Sequence, residues 1–204
     1  MGDSPARTKR PARRLRRGLG PVVLAALAFG CGARPGASDP RFVSETVRLE
    51  IDAAEFSVEG TYFFTGGTNH TDFPVFYPFP ADAGLGPAEL VGAWIRTNRG
   101  AEEPLGALVF RDGLRFRLPF STADSCSVRV RYRQASPERR AVYILRSTQA
   151  WGRPLERAEF VAVCTQAATD PVFNYPFRAS APSPGTYTFE ASPFLPEEDL
   201  VIRW

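Results

Sequence analysis

Histidine and methionine occur once each in 204 residues, and cysteine only three times. So few soft ligands cannot build a structural zinc site, and a Ser-His-Asp or Cys-His arrangement would have to use His70. That residue lies in Gly66-Gly67-Thr68-Asn69-His70-Thr71-Asp72, a polar, glycine-containing stretch that reads as a surface loop. A G-x-S-x-G elbow, a phosphate-binding loop and a dinucleotide fingerprint are all missing, because Gly84-Leu85-Gly86 lacks the third glycine and the helix that must follow. The consecutive acids Glu102-Glu103 and Glu197-Glu198-Asp199 lack the spaced ligands of a calcium loop and read as solvated charge. No catalytic residue, metal or cofactor is assigned. Apolar runs as long as the roughly 20 residues of a membrane-spanning helix are missing too. With 44% apolar and 23% charged residues, what remains is an ordinary globular composition of one-domain length.

The net charge of +3 is a local excess. Seven of the 25 basic residues (Arg7, Lys9, Arg10, Arg13, Arg14, Arg16 and Arg17) precede residue 18; without them and Asp3, 18 basic residues face 21 acidic ones. The remaining body is therefore mildly acidic, and nucleic-acid binding loses its compositional support. The basic run is followed by the apolar stretch Leu19 to Phe29 and the small-residue site Gly30-Cys31-Gly32, which is the order of a secretory signal. Ala28-Phe29-Gly30-Cys31 resembles the lipobox of bacterial lipoproteins, a resemblance confined to residues 1–31. It implies a signal peptide over 1–30, lipidation of Cys31, and a domain held by its lipid to a membrane of the bacterial cell envelope. Residues 32–40, GARPGASDP, read as a flexible tether, with a single folded domain over 41–204. In such an oxidising compartment Cys126 and Cys164 are expected to form a disulfide, worth about 4 kcal/mol for a loop of this length if unstrained.

Beyond Val47 the apolar period is two and no stretch supports a long amphipathic helix. Val47, Leu49 and Ile51 alternate with charged residues, and Phe56, Val58, Tyr62 and Phe64 continue the pattern through Gly60, which suggests a bulge. About ten short strands separated by turn signals predict an all-β fold, a mostly antiparallel β-sandwich. Phe73, Val75, Tyr77 and Phe79 alternate with Pro74, Pro78 and Pro80, which restricts that segment to a sheet edge or an extended strap.

Two clusters are candidate binding surfaces. If the loop Ser121 to Ser125 joins a hairpin, Arg117 stands opposite Arg129 and Arg115 opposite Arg131, with Arg133 just beyond. Like charges so placed repel; either a neighbouring strand supplies carboxylates, with Glu50, Asp52 and Glu55 available, or the ladder holds an anionic lipid or glycan. Phe73, Phe76, Tyr77, Phe79 and Trp151 could stack on a ligand, although aromatic rings more often seal a β core. The expected function is a membrane-anchored envelope lipoprotein whose domain binds a glycan, lipid or protein, or serves a structural role, without catalysis. The alternative is a secreted carbohydrate-active enzyme using two loop carboxylates; it requires a ring-lined cleft with carboxyl groups about 5–10 Å apart.

Overall fold

The computed structural model describes residues 40–67, 71–98, 100–165, 168 and 170–204. Cys31, the signal segment, all of the tether except Pro40, and His70 lie outside the described residues. The described chain is all-β in character, 56% strand against 4% helix, as the period of two requires. Its strands are β1 (Arg41–Ile51), β2 (Glu55–Thr65), β3 (Phe73–Pro78), β4 (Ala88–Thr97), β5 (Glu103–Pro104), β6 (Leu108–Phe110) and β7 (Gly113–Leu118), followed by β8 (Ser125–Ala135), β9 (Arg140–Tyr143), β10 (Arg157–Cys164), β11 (Val172–Phe173), β12 (Arg178–Ala179), β13 (Thr186–Ala191) and β14 (Leu200–Arg203). A single 3-10 turn covers Arg146–Trp151. The strands beyond the expected ten are two- and three-residue pieces, too short to show alternation.

An eight-stranded sheet runs β12-β13-β10-β1-β2-β8-β4-β5, and two three-stranded sheets run β11-β14-β9 and β3-β7-β6. All pairs are antiparallel except β1 with β10. The inward rows Val47, Leu49, Ile51, Val58, Val128, Val130 and Phe160 of the large sheet share one core with Leu114, Phe116 and Leu118 of β7 and with Leu200 and Ile202 of β14. The proline-interrupted segment is the β3 edge strand, whose only partner among the described residues is β7. Gly60 lies in an unbroken register, opposite Val47 on one side and Val130 on the other. The irregularity of this strand pair falls instead between Phe42 and Ser44. A Cβ on Gly60 would overlap the Tyr62 ring, so the glycine is needed for a side chain folded back across it.

Two expectations are overturned by the strand order. Strands β7 and β8 do not form a hairpin: β7 pairs with β3 and β6, while β8 pairs with β2 and β4. The turn after Pro119 carries the chain from the small sheet to the large one, closed by hydrogen bonds from the Thr122 and Ala123 amides to the Pro119 carbonyl. Both strands still point apolar side chains inward, now at each other across the core, so the alternation is equally satisfied. The arginines thereby point away on opposite outer faces, and the repulsion of a hairpin never arises.

The second correction is the disulfide, since Cys126 and Cys164 are free thiols. Cys164 aligns with Ile51, Ile51 with Phe56, and Phe56 with Gln134, eight residues along β8 from Cys126. That spacing is about 26 Å along the strand, whereas a disulfide tolerates at most roughly 7 Å between Cα atoms. Burial pushes the Cys126 thiol up to about 12 and raises Cys164 as well, in keeping with packed side chains.

Candidate functional site

The interior holds a polar row that begins at Glu45. This residue shares the inward phase of Val47, Leu49 and Ile51, so β1 buries its carboxyl group at 3% exposure. Tyr143 on β9 donates its hydroxyl to Glu45 Oε2 at 3.2 Å. The Tyr62 hydroxyl lies 2.9 Å from those of both Tyr143 and Tyr77, extending the row from β1 through β9 and β2 to β3. Glu45 Oε1 has no hydrogen-bond partner among the described residues. A cavity of about 50 Å³ adjoins the row, lined among others by Phe42, Tyr62, Tyr77, Tyr143 and Trp151; it has room for one or two waters. Burial raises the Glu45 carboxyl to about 8, against the smaller opposing effect of the Tyr143 hydrogen bond, and burial likewise raises all three tyrosines. Neutral groups in a hydrogen-bonded row tie strands of different sheets together. At neutral pH the Glu45 carboxyl is mostly protonated and the three phenols are neutral.

The sequence reading missed this row. Its signal is visible afterwards: Glu45 stands in register with a run of buried aliphatics, and three tyrosines occupy inward positions.

The five arginines divide between two surfaces. On the outer face of the large sheet, Arg129 bonds Glu102, which holds that carboxyl below the usual range, and stacks on Trp94 with its guanidinium carbon 3.9 Å from the ring centre. Arg133 bonds Glu89 at 2.8 Å, and Arg131 lies 3.9 Å from Glu59. Carboxylates therefore neutralise this row, but they come from Glu59, Glu89 and Glu102, in place of the Glu50, Asp52 and Glu55 available from the sequence argument. Arg115 and Arg117 lie on the outer face of β3-β7-β6, and no carboxylate pairs with either among the described residues. Arg117 donates to the Asp72 carbonyl oxygen. Arg115 lies between Phe76 and Phe110, its guanidinium carbon 5.7 and 4.9 Å from their ring centres.

Four of the five candidate ligand-stacking rings pack internally. Phe73 rests on Trp151 at 5.4 Å, Trp151 also contacts Phe42 and Phe64, Tyr77 joins the hydroxyl row, and Phe79 packs on Tyr132 at 5.0 Å. Phe76 alone turns outward, because it alternates with the inward Val75 and Tyr77. Register places Phe76, Arg115 and Leu108 side by side across the three strands, with Pro74 beside Arg117 and Phe110 at the neighbouring turn. Phe76, Leu108, Val109 and Phe110 are exposed by 41%, 67%, 58% and 42%. The short turn Arg111-Asp112 positions Phe110, and a Cβ on Gly113 would overlap the Tyr77 carbonyl oxygen. The result is an apolar surface interrupted by the guanidinium groups of Arg115 and Arg117, on the outer face of the small sheet and away from the paired arginines of the large one.

A shallow hollow on the large sheet, about 220 Å³, is lined by Arg48, Glu50, Ser57, Glu59 and Arg131. It contains two carboxylates and no ring, whereas the ring-lined cavity contains the single carboxyl of Glu45. Among the described residues no group of three His, Cys, Asp or Glu side chains is arranged to hold a metal ion, and no helix is long and apolar enough to cross a membrane.

No family model and no curated protein matches the chain. Among solved structures it is similar to native yeast LTA4 hydrolase, with 10% identity and a TM-score of 0.50 over 81% of this chain and 29% of that one. It also matches an M1 zinc metallopeptidase from Deinococcus radiodurans, with 10% identity, a TM-score of 0.48, and coverage of 81% and 42%. A putative protease from Parabacteroides distasonis gives 8%, 0.44, and coverage of 82% and 40%. The chain thus spans less than half the length of each of these proteins, and at this identity the likeness to the yeast structure is one of fold alone.

Proposed function

We propose that this chain is an exported, lipid-anchored domain of the bacterial cell envelope that works by binding, through the outer face of β3-β7-β6. The observation that carries the reading is the exposed set of Phe76, Leu108 and Phe110 around the unpaired Arg115. Contiguous exposed apolar side chains of this kind mark interaction surfaces. Support for binding over glycan hydrolysis comes from the two hollows, since rings and a carboxylate pair do not occur together in either. The signal-like segment and the lipobox-like site at Cys31 support the envelope part of this reading.

The location is tested by Cys31→Ser in the full chain expressed in a bacterial host. Fatty-acid labelling should disappear and the protein should move from the membrane to the soluble fraction. Labelling that survives the substitution would remove the lipid anchor from this reading. The alternative activity is tested by Glu50→Gln with Glu59→Gln: hydrolysis of an envelope glycan by the parent, abolished in this variant, would replace binding with catalysis.

A further inference from the structure

We infer that the outer face of β3-β7-β6 is a membrane-contacting surface that lies on an anionic lipid bilayer; this rests on the envelope reading above. Charge is the first argument. Arg129, Arg131 and Arg133 are met by carboxylates on the large sheet, while on the small sheet Arg115 has no ion pair among the described residues, and Arg117 has no direct ion pair there and feels the Asp72 carboxylate only at longer range. A guanidinium with no protein carboxylate is free to bond a lipid phosphate, often through two N–H groups.

The apolar side chains beside it are the second argument. Phe76, Arg115 and Leu108 form one row by strand register, and Arg115 sits between the rings of Phe76 and Phe110. Rings and an aliphatic side chain set around arginines suit the boundary between headgroups and acyl chains, where apolar atoms enter and charges remain with phosphate. An aqueous anion would leave the apolar atoms uncovered. An acidic protein partner would need both matching carboxylates and an apolar patch.

The chain's course provides the third argument. Phe42, near the start of β1, and Phe73, the first residue of β3, both pack on Trp151, at 5.8 and 5.4 Å. The folded domain therefore begins beside the strand that carries this face. Cys31 is nine residues before Pro40, and nine residues reach at most about 30 Å. A lipid on Cys31 would keep this face close to the bilayer, and lipid anchors hold more firmly with a second, basic contact.

The test uses the full chain carrying Cys31→Ser and Cys164→Ser, with an environment-sensitive fluorophore on a cysteine introduced by Leu108→Cys or, as control, Thr61→Cys on the large sheet. Vesicles are made of phosphatidylglycerol and phosphatidylcholine in equal parts, or of phosphatidylcholine alone. The fluorophore at 108 should shift to the blue and become quenchable by brominated acyl chains on the anionic vesicles only, and that at 61 should stay in water. Arg115→Gln with Arg117→Gln should weaken the response at 108 roughly 30-fold, as expected for loss of two basic contacts at an anionic surface. Equal behaviour of the two positions, an equal response on neutral vesicles, or capture of an acidic peptide without vesicle contact would each overturn the inference. Because the protein in this assay carries no lipid, its result is independent of whether Cys31 is acylated in cells, so failure of the face and failure of the anchor are told apart.

Discussion

Glu45 shows how one inward position on a strand sets a pH dependence for the whole domain. Its carboxyl is raised from 4.5 to about 8 in the folded protein. Between those values the unfolded chain has released a proton that the folded chain keeps, so stability is full below pH 4.5 and declines as pH rises toward 8. The ceiling on the loss is about 5 kcal/mol. Urea unfolding from pH 5 to 8 should show a falling midpoint, and Glu45→Gln should flatten that slope and be the more stable protein at pH 8. A parallel slope in the variant would exclude Glu45 as the cause. Arg129 shows the contrasting surface case. It is bonded to Glu102 and stacked on Trp94, yet it is partly solvated, and Arg129→Ala should cost only about 1 kcal/mol by thermal denaturation. A cost within error of zero would show that the stack carries no energetic weight.

Each strand's character follows from which of its faces is covered. Strand β2 is buried on alternate residues along its length, and Gly60 is the place where that face must admit the Tyr62 ring. Gly60→Ala should destabilise the domain by about 1–3 kcal/mol through overpacking. The penalty should vanish when Tyr62→Ala is already present; the same penalty in both backgrounds, read from a double-mutant cycle, would show that the ring is not what the glycine accommodates. Strand β3 is limited to an edge because Pro74 and Pro78 cannot donate to a ladder. The alternation predicted from its sequence is present, and it turns Phe76 out while burying its neighbours.

For the molecule as a whole, strand order decides which distant residues meet. Cys126 and Cys164 stand at opposite ends of the large sheet, separated by most of the length of β8. Unfolding the unreduced protein in the presence of an alkylating agent should label both thiols, as read by peptide mass. A peptide pair joined through these residues would require a different register across β1, β2 and β8. Leu118 faces the large sheet from β7 with no exposure. Leu118→Ala should cost about 2–5 kcal/mol, the range for a cavity in a shared core, measured as a shift in denaturant midpoint. A cost near zero would mean that the small sheet does not share that core.

The sequence by itself determined the all-β class, the edge position of the proline-rich strand and most inward-facing residues, because side-chain direction along a strand is a local property with a period of two. It could not determine partners. Leu114 to Leu118 and Cys126 to Tyr132 carry the same alternation whether they pair side by side or face each other across a core, and the short loop between them is compatible with both. Only the tertiary structure chose the second arrangement, and with it came the separation of the five arginines, the free thiols, the Glu45 row and the exposed face around Arg115. Burial of apolar side chains is satisfied by any covering layer, so the identity of that layer is fixed by the packing of the entire chain.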